Sequence, residues 1–163
     1  MDKLLWIQHK IFNRESLARE CNGWRVKNKK IVFTNGCFDI LHHGHLDLLA
    51  RAASLGNILI VGLNTDSSVR GLKGPSRPVT HEQDRAFQVA SLLCTDAVCL
   101  FDEETPEELI KLIKPDVLVK GGDYTIDKIV GADFVQKNGG DVHIIPFVDG
   151  YSTTSLISRI KGL

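Results

Sequence analysis

Residues 31–53 of this 163-residue chain read IVFTNGCFDILHHGHLDLLARAA, and this stretch decides the fold. The apolar run at 31–33 predicts a buried strand, and the spacing of apolar residues over 46–53 predicts a helix. Between them, TNGCFDILHHGH at 34–45 predicts a turn that ends at a helix N-terminus. Such a terminus presents unpaired N–H groups and a positive dipole end, which suit a phosphate. His42 and His45 add donors there, and Gly44 has no side chain to block a ligand.

From residue 30 onward the chain alternates strand and helix patterns. Apolar segments predict five strands, at 31–34, 58–62, 97–101, 117–119 and 142–146. Continuous apolar strands separated by helices predict an α/β fold whose parallel sheet is covered on both faces. Right-handed crossovers then predict a Rossmann-like, doubly wound, five-stranded parallel sheet in the order 3-2-1-4-5. Ligands of such sheets bind where the order reverses, at the carboxyl ends of strands one and four.

Several connecting segments carry helix-start or loop signals. T-x-x-Q at 80–83 and T-x-x-E at 105–108 predict capping boxes, with Pro106 at the first helical position. Ser152 is a candidate N-cap for the last helix. Residues 69–78, VRGLKGPSRP, predict a loop because glycine and proline interrupt helix and sheet. Its cations can clamp phosphates, although composition alone also allows a solvated surface loop.

The N-terminal segment, residues 1–26, lies outside the repeating pattern and is predicted to be a helical extension of a domain at 27–163. Asn13 or Ser16 is the predicted cap of a short helix that runs through Glu20 and ends near residues 22–23. Its apolar residues leave two interpretations open. The segment either forms a flap on the domain or on a second subunit, or it packs into the core.

The charge balance excludes some classes of partner. Lys and Arg together number 20, as do Asp and Glu, so the formal net charge is zero. General nucleic-acid and membrane-surface binders are usually basic, so we expect neither partner. No apolar run approaches the roughly 20 residues of a membrane span. The first ten residues lack the apolar core of a signal peptide, so a cytoplasmic location is expected.

The turn also allows a metal interpretation. Cys37 with His42, His43 and His45 can be read as a zinc cluster. The helix dipole, the glycines and Asp39 instead favour a phosphate with Mg²⁺, and no protein side chain is predicted to be a metal ligand.

The sequence G-C-F-D followed by H-x-G-H, directly after a strand, resembles the nucleotidyltransferase superfamily of cytidylyl- and adenylyltransferases. These enzymes transfer a nucleoside monophosphate from a nucleoside triphosphate to a phosphorylated acceptor. The resemblance implies catalytic roles for His42, His45 and Lys73. It implies nucleotide contacts in three segments: Asn35, Gly36, Cys37, Phe38 and Gly44; Lys120, Gly121 and Asp123; Ser152, Thr153 and Thr154.

Contacts to the acceptor substrate are predicted for residues near the strand ends and in the basic loop, namely Asp39, Asn64, Asp66 and Arg77. Asp39 follows strand one and faces the predicted switch point, which favours a ligand role. A turn residue that holds a loop is the alternative for this carboxylate.

Four segments, FTNGCFDILHHGH, VRGLKGPSRP, LVKGGDY and GYSTTSLI, together resemble the adenylyltransferases that make ADP-heptose for lipopolysaccharide. This narrower resemblance implies ATP as nucleotide, D-glycero-β-D-manno-heptose 1-phosphate as acceptor, and Mg²⁺ as cofactor bound mainly through phosphates. That activity is often fused to a sugar kinase, which this chain is too short to contain, so a separate heptose kinase in the same pathway is expected. A homodimer is expected from the common symmetry of oligomers and the apolar N-terminal segment.

Two other functions compete with this one. A cytidylyltransferase acting on a polyol or choline-type phosphate would use the same loops and differ in the base pocket near residues 119–129. A non-catalytic nucleotide sensor would keep the fold. The presence of His42, His45 and Lys73 argues against a sensor, which needs no donors to a leaving group.

Overall fold

The computed structural model describes residues 2–163, and in this range six parallel strands form one sheet. The strands are β1 (Ile11–Phe12), β2 (Ile31–Gly36), β3 (Ile58–Asn64), β4 (Ala97–Phe101), β5 (Val117–Gly121) and β6 (Asp141–Ile145). They lie in the order β1-β4-β3-β2-β5-β6. The order reverses at β2, whose two neighbours are β3 and β5. A ligand site is therefore expected at the carboxyl ends of these three strands.

The predicted α/β class with a parallel sheet is confirmed, but the predicted number of strands is wrong. The five predicted strands are β2 to β6, and they lie in the relative order that was predicted. The sixth, β1, pairs with β4 at the sheet edge, with Ile11 opposite Val98. Two residues are too few to show a strand period, so the pattern of apolar residues could not reveal it. Its pairing is extended by the Val98 N–H, which donates to the Lys10 carbonyl at 2.8 Å.

Within the same residues, eight α-helices flank the sheet. They are α1 (Lys3–Gln8), α2 (Arg14–Val26), α3 (His43–Ala53), α4 (Asp66–Lys73), α5 (Glu82–Ala90), α6 (Glu107–Ile113), α7 (Ala132–Lys137) and α8 (Thr153–Lys161), with a 3₁₀ turn at Ile126–Lys128. No helix in residues 2–163 combines the length and the apolar character that crossing a membrane requires.

The core lies in two layers because successive side chains of a strand point to opposite faces. On β2, Ile31 and Phe33 join the layer formed with α2, α6 and α7, and Val32 joins the layer formed with α3 and α5. Both layers are made of fully buried apolar residues. The sheet is thus covered on both faces, and its functional groups are confined to its ends.

The N-terminal segment is built into these layers. Asn13 caps α2 by accepting from the Ser16 N–H at 2.8 Å, and the helix continues to Val26, beyond the predicted end near residues 22–23. Leu17 and Cys21 are fully buried, so packing into the core describes α2. Helix α2 ends at Val26, and the division into an extension at 1–26 and a domain at 27–163 stays a prediction.

Three local predictions are wrong. Residues 69–73 belong to α4, so only the second half of the predicted basic loop is a loop. Helix α5 begins at Glu82 and α6 at Glu107, and neither has a side-chain cap, so the capping boxes do not form. The Thr80 N–H donates to the Asp39 carboxylate at 3.0 Å, which assigns Thr80 to the preceding loop rather than to the helix start.

Candidate active site

The turn between β2 and α3 brings a helix start to the switch point of the sheet. His42 is the N-cap residue of α3 and has extended backbone angles. It makes no side-chain capping hydrogen bond within residues 2–163, so the first amides of α3 remain open to a ligand. A Cβ atom added to Gly44 would lie 3.3 Å from the His42 ring and 3.4 Å from Cβ of Tyr151. Glycine thus permits the close packing at this helix start.

The two motif histidines lie against each other. The rings of His42 and His45 are stacked with centroids 3.8 Å apart, and Phe38 packs edge-on to His45 at 5.3 Å. Burial lowers the pKa of His45 to about 4, helped by the nearby charges of His42 and Lys73. Burial also lowers the pKa of His42. Without a ligand, His45 is therefore neutral near pH 7 and has one N–H to donate.

Both imidazoles also carry an unused polar atom. In the described part of the chain, Nδ1 of His42 and Nδ1 of His45 are buried and have no hydrogen-bond partner. Buried polar atoms without partners are uncommon, and they often mark places where a ligand or water binds. The pair is thus arranged to accept a partner from outside the chain.

A cavity of about 510 Å³ opens at the carboxyl ends of β2, β3 and β5. Eleven of the predicted site residues line it: Asn35, Gly36, Cys37, Phe38, Asp39, His45, Asn64, Lys73, Lys120, Gly121 and Thr153. Three strand ends, the starts of α3 and α8 and the end of α4 therefore meet at one place. Seven predicted residues do not line the cavity: His42, Gly44, Asp66, Arg77, Asp123, Ser152 and Thr154.

Two lysines, Lys73 and Lys120, bring positive charge to this cavity. Lys73 is the last residue of α4, and its charge helps to lower the pKa of His45, which places the ammonium group near that ring. Lys120 lies near the end of β5, where burial lowers its pKa. Its Nζ lies 5.6 Å from the centre of the Tyr124 ring. The cavity thus contains two cations and lies next to the start of α3, a combination that suits a polyphosphate.

The Asp39 carboxylate is fully buried and is bonded to protein groups. It accepts from the Val79 N–H at 3.0 Å, from the Thr80 N–H at 3.0 Å, and from Nε of Arg77 at 2.8 Å. Burial alone would raise its pKa, but these N–H groups and the Arg77 charge together lower it. These contacts agree with the alternative interpretation, in which Asp39 is a turn residue that holds a loop. Contact of Asp39 or Arg77 with substrate stays a prediction.

Asp66 is bound to another buried cation. Its carboxylate accepts from Nη2 of Arg85 at 2.8 Å and lies 3.2 Å from Nδ1 of His81. Asp66 does not line the cavity, and its predicted contact with substrate stays a prediction. The side chain of Asn64 does line the cavity, where its Nδ2 donates to Oγ of Ser68 at 2.9 Å.

The start of α8 is joined to the β2–α3 turn. Ser152 caps α8 by accepting from the Ser155 N–H at 3.0 Å, which confirms the predicted cap. The Thr153 hydroxyl donates to the Asp39 carbonyl at 3.0 Å and lines the cavity. Thr154 is exposed. Of the three predicted hydroxyls, Thr153 is the one placed at the cavity wall.

The apolar side of the cavity was not predicted residue by residue. Tyr124 and Phe147 line it, and a Cβ atom added to Gly122 would lie 2.9 Å from the Phe147 ring and 3.0 Å from the Tyr124 ring. Gly122 has φ of +120°, so glycine is required there for two reasons. Other lining residues that sequence reasoning missed are Leu48, Leu72, Glu104, Thr105, Pro106, Lys128, Ile129 and Val130. Among these residues, only Phe147 could have been found from the local sequence, because it is a large aromatic residue that follows a strand and precedes Asp149-Gly150.

The zinc interpretation receives no support from this geometry. No three His, Cys, Asp or Glu side chains in residues 2–163 converge in a way that could hold a metal ion.

Curated relatives share most of this chain. "Bifunctional protein HldE" of Caulobacter vibrioides is 55% identical over 153 residues, which are 94% of this chain and 32% of that protein. "Bifunctional protein HldE" of Trichlorobacter lovleyi is 54% identical over 151 residues, which are 93% of this chain and 31% of that protein. The chain therefore spans about a third of the length of these relatives.

Solved structures and a family profile agree with the fold. The lipopolysaccharide core biosynthesis protein of Thermoplasma volcanium is 28% identical, with a TM-score of 0.60 over 76% of this chain and 99% of that one. Pantoate-beta-alanine ligase of Francisella tularensis is 16% identical, with a TM-score of 0.61 over 94% of this chain and 72% of that one, and shows the fold alone. The cytidylyltransferase-like family profile matches residues 33–159, from within β2 to within α8. The chain therefore belongs to the cytidylyltransferase-like family.

Proposed function

We propose that the chain is a nucleotidyltransferase that transfers AMP from ATP to D-glycero-β-D-manno-heptose 1-phosphate, giving ADP-heptose and pyrophosphate for lipopolysaccharide synthesis. The observation that carries the reaction class is the meeting of His45 and Lys73 at one cavity, next to the start of α3. The motif resemblance to heptose 1-phosphate adenylyltransferases supports the choice of substrates. The structural relative from Thermoplasma volcanium, named for lipopolysaccharide core biosynthesis, points in the same direction.

The reaction requires positioning of the two substrates and stabilisation of charge, and it does not require a general base. A phosphate oxygen of the acceptor attacks the α-phosphorus of ATP in line with the departing pyrophosphate. A sugar phosphate has a second pKa of about 6, so its oxygen is already ionised near pH 7. The low pKa of His45 agrees with a neutral donor that has no proton to remove from substrate. The site then acts by holding the two phosphates together and by stabilising charge on the leaving group.

Several groups in or beside the cavity have roles in this scheme. The open amides of α3 and the imidazoles of His42 and His45 donate to the triphosphate as charge moves onto pyrophosphate. Lys73 offsets charge at the α-phosphate and the acceptor phosphate. The Thr153 hydroxyl and the start of α8 lie beside the turn and reach the outer phosphates. Tyr124 and Phe147 offer an apolar wall to the base.

Mg²⁺ is proposed as the cofactor, held mainly by substrate oxygens. The carboxylate nearest the turn, Asp39, is occupied by Arg77 and two backbone N–H groups, so it is not free to bind a cation. The exposed Glu104 is the other carboxylate of the cavity wall. This donor set fits an ion carried on phosphates, where it would neutralise part of their charge.

A homodimer, a cytoplasmic location and a heptose kinase activity that supplies the acceptor are the expected surroundings of the reaction. Gel filtration with light scattering tests the first of these.

The decisive experiment measures pyrophosphate release across ATP and CTP, each with heptose 1-phosphate, a polyol phosphate and choline phosphate. ATP with heptose 1-phosphate should give the highest kcat/KM, and mass spectrometry should show ADP-heptose. The Lys73→Ala variant should lose this activity, whereas Lys111→Ala, on the exposed side of α6, should keep it. Faster turnover with CTP and a polyol or choline phosphate would assign the chain to the cytidylyltransferase alternative, and faster turnover of ATP with a non-sugar acceptor would refute heptose 1-phosphate as the acceptor.

A further inference from the structure

The turn between β2 and α3 is held in an uncommon backbone conformation. Phe38 has φ of 46° and Ile40 has φ of 54°. Residues other than glycine rarely adopt positive φ, and a β-branched residue such as isoleucine does so least readily. Such conformations persist where surrounding contacts determine them, and they concentrate at functional sites. The contacts that hold residues 37–40 therefore bear on how the site works.

Three groups from distant parts of the chain hold this turn. Nη1 of Arg85 donates to the Cys37 carbonyl at 2.6 Å. The loop at 77–80 binds the Asp39 carboxylate, and the Thr153 hydroxyl donates to the Asp39 carbonyl. Asp39 and Thr153 line the cavity themselves, whereas Arg85 does not. Arg77 likewise does not line the cavity, but it was predicted to contact substrate, whereas any effect of Arg85 on the reaction must pass through the turn.

The guanidinium of Arg85 joins three segments at once. Its side chain is fully buried on α5. Besides the Cys37 carbonyl, Nε donates to the Thr80 carbonyl at 2.9 Å and Nη2 to the Asp66 carboxylate at 2.8 Å. A planar fork with fixed donor directions can make these bonds together, and an ammonium group on a flexible chain cannot reproduce them. Asp66 supplies the countercharge that a buried cation needs.

We propose that Arg85 is a positioning residue, which fixes the Cys37 carbonyl and thereby keeps the turn amides and His45 directed at the cavity. Asp66 then acts by orienting Arg85 rather than by touching substrate. This proposal rests on the proposed function for its kinetic test. It assigns a role to a side chain that lines no part of the cavity.

The competing explanation is a purely structural one, because removing a buried cation leaves Asp66 without its partner and destabilises the fold. Two variants and one control separate the explanations. Arg85→Lys keeps the charge and loses the fork, and Arg85→Gln loses both. Ile113→Ala, in the core layer on the opposite face of the sheet, lowers stability through a cavity without any contact to the turn.

The kinetic arm compares these variants at a temperature where all are folded. Because a displacement of about 1 Å at the reacting groups costs roughly a hundredfold, Arg85→Lys should lower kcat by about that factor with little change in KM for ATP. Ile113→Ala should keep near wild-type kcat at an equal loss of Tm. The proposal is overturned if Arg85→Lys retains kcat, or if Ile113→Ala loses as much.

A second arm needs no substrate. The His45 ring packs on Phe38 and is affected by the charges of His42, Lys73 and Asp39. Release of the turn should expose the ring, so an NMR titration should show the pKa of His45 rising from about 4 toward its ordinary value in Arg85→Lys. An unchanged pKa contradicts the proposal. If the Arg85 variants do not fold, Asp66→Asn is measured instead, and a wild-type kcat together with a wild-type titration overturns it.

The two arms also separate this proposal from the proposed function. A wild-type protein that releases no pyrophosphate with any acceptor refutes the proposed function. The titration of His45 then still decides whether Arg85 positions the turn.

Discussion

Replacing His45 by asparagine should flatten the dependence of stability on pH. The pKa of His45 is about 4 in the folded protein because of burial, and it is about 6.5 in an unfolded chain. Between these values the unfolded state binds a proton that the folded state does not. Stability is therefore unaffected by His45 above about pH 7 and decreases as the pH falls through 6.5 toward 4.

The expected size follows from the two pKa values. At pH 5 the unfolded imidazole is mostly protonated and the folded one mostly neutral, which costs about 2 kcal/mol of unfolding free energy. Asparagine does not titrate and therefore removes this loss. The wild-type protein should thus lose about 2 kcal/mol more than His45→Asn between pH 7.5 and pH 5. The lowered pKa of His42 acts in the same direction in both proteins.

Urea unfolding of the ligand-free proteins at pH 7.5, 6.5, 5.5 and 5.0 measures this difference. His9→Asn is the matched control, since His9 is exposed at the end of α1. It controls for the replacement of an imidazole by an amide outside the site. Parallel curves for wild type and His45→Asn would refute the reasoning, because they would mean that the His45 ring is not desolvated in the fold.

Four further outcomes are expected. At pH 7.5, His45→Asn should lower kcat by roughly a hundred- to a thousandfold, as for the loss of one leaving-group donor, with a smaller change in ATP affinity by calorimetry. Lys73→Ala should reduce kcat/KM with little change in Tm, and a collapse of Tm beyond that of Lys111→Ala would make Lys73 structural. Gly122→Ala should raise KM for ATP, since the new methyl group displaces two aromatic rings, whereas Gly139→Ala, also at positive φ but with open space, should not. EDTA should abolish turnover and Mg²⁺ restore it without change in Tm, whereas tightly bound, stoichiometric zinc in purified protein would contradict the magnesium proposal.

Much of the fold could be predicted because the strands are unbroken apolar runs. Residues 31–33, 58–62 and 97–101 are buried on both faces, so each is apolar along its whole length. Strand β1 was not predicted because two residues are too few to show the alternation of apolar and polar residues that marks a strand. Helix α4 was mistaken for a loop because Gly71 lies inside it and Gly74 and Pro75 follow it. An isolated glycine lowers helix propensity, and tertiary packing of Val69 outweighs that loss.

Site residues could be predicted where their position at the end of a strand determines their location in the fold. Asn35, Asn64 and Lys120 end neighbouring strands, so the sheet order alone brings them together. Asp39 and Asp66 also follow or flank strand ends, yet their carboxylates bind Arg77 and Arg85. A local sequence pattern cannot predict the partners of these two carboxylates, because the cations that they bind are 38 and 19 residues away in sequence.

The burial of Arg85 could have been predicted from the sequence. It lies four residues before Val89 on the apolar side of α5, and both side chains are fully buried. A cation inside an apolar helical stripe requires a partner of opposite charge. This pattern indicates a buried ion pair without naming the acid.

The short strand β1 has a consequence for how the protein behaves at high concentration. Without it, β4 would end the sheet with the segment AVCLF, which contains no charge and no proline. Exposed edges of this kind can pair with the same edge of another molecule and start aggregation. The opposite edge, β6, begins with Asp141 and carries His143, so it is protected by polar side chains. Ile11 and Phe12, with the carbonyl of Lys10, thus cover the edge of β4. Removal of this segment should promote self-association through β4.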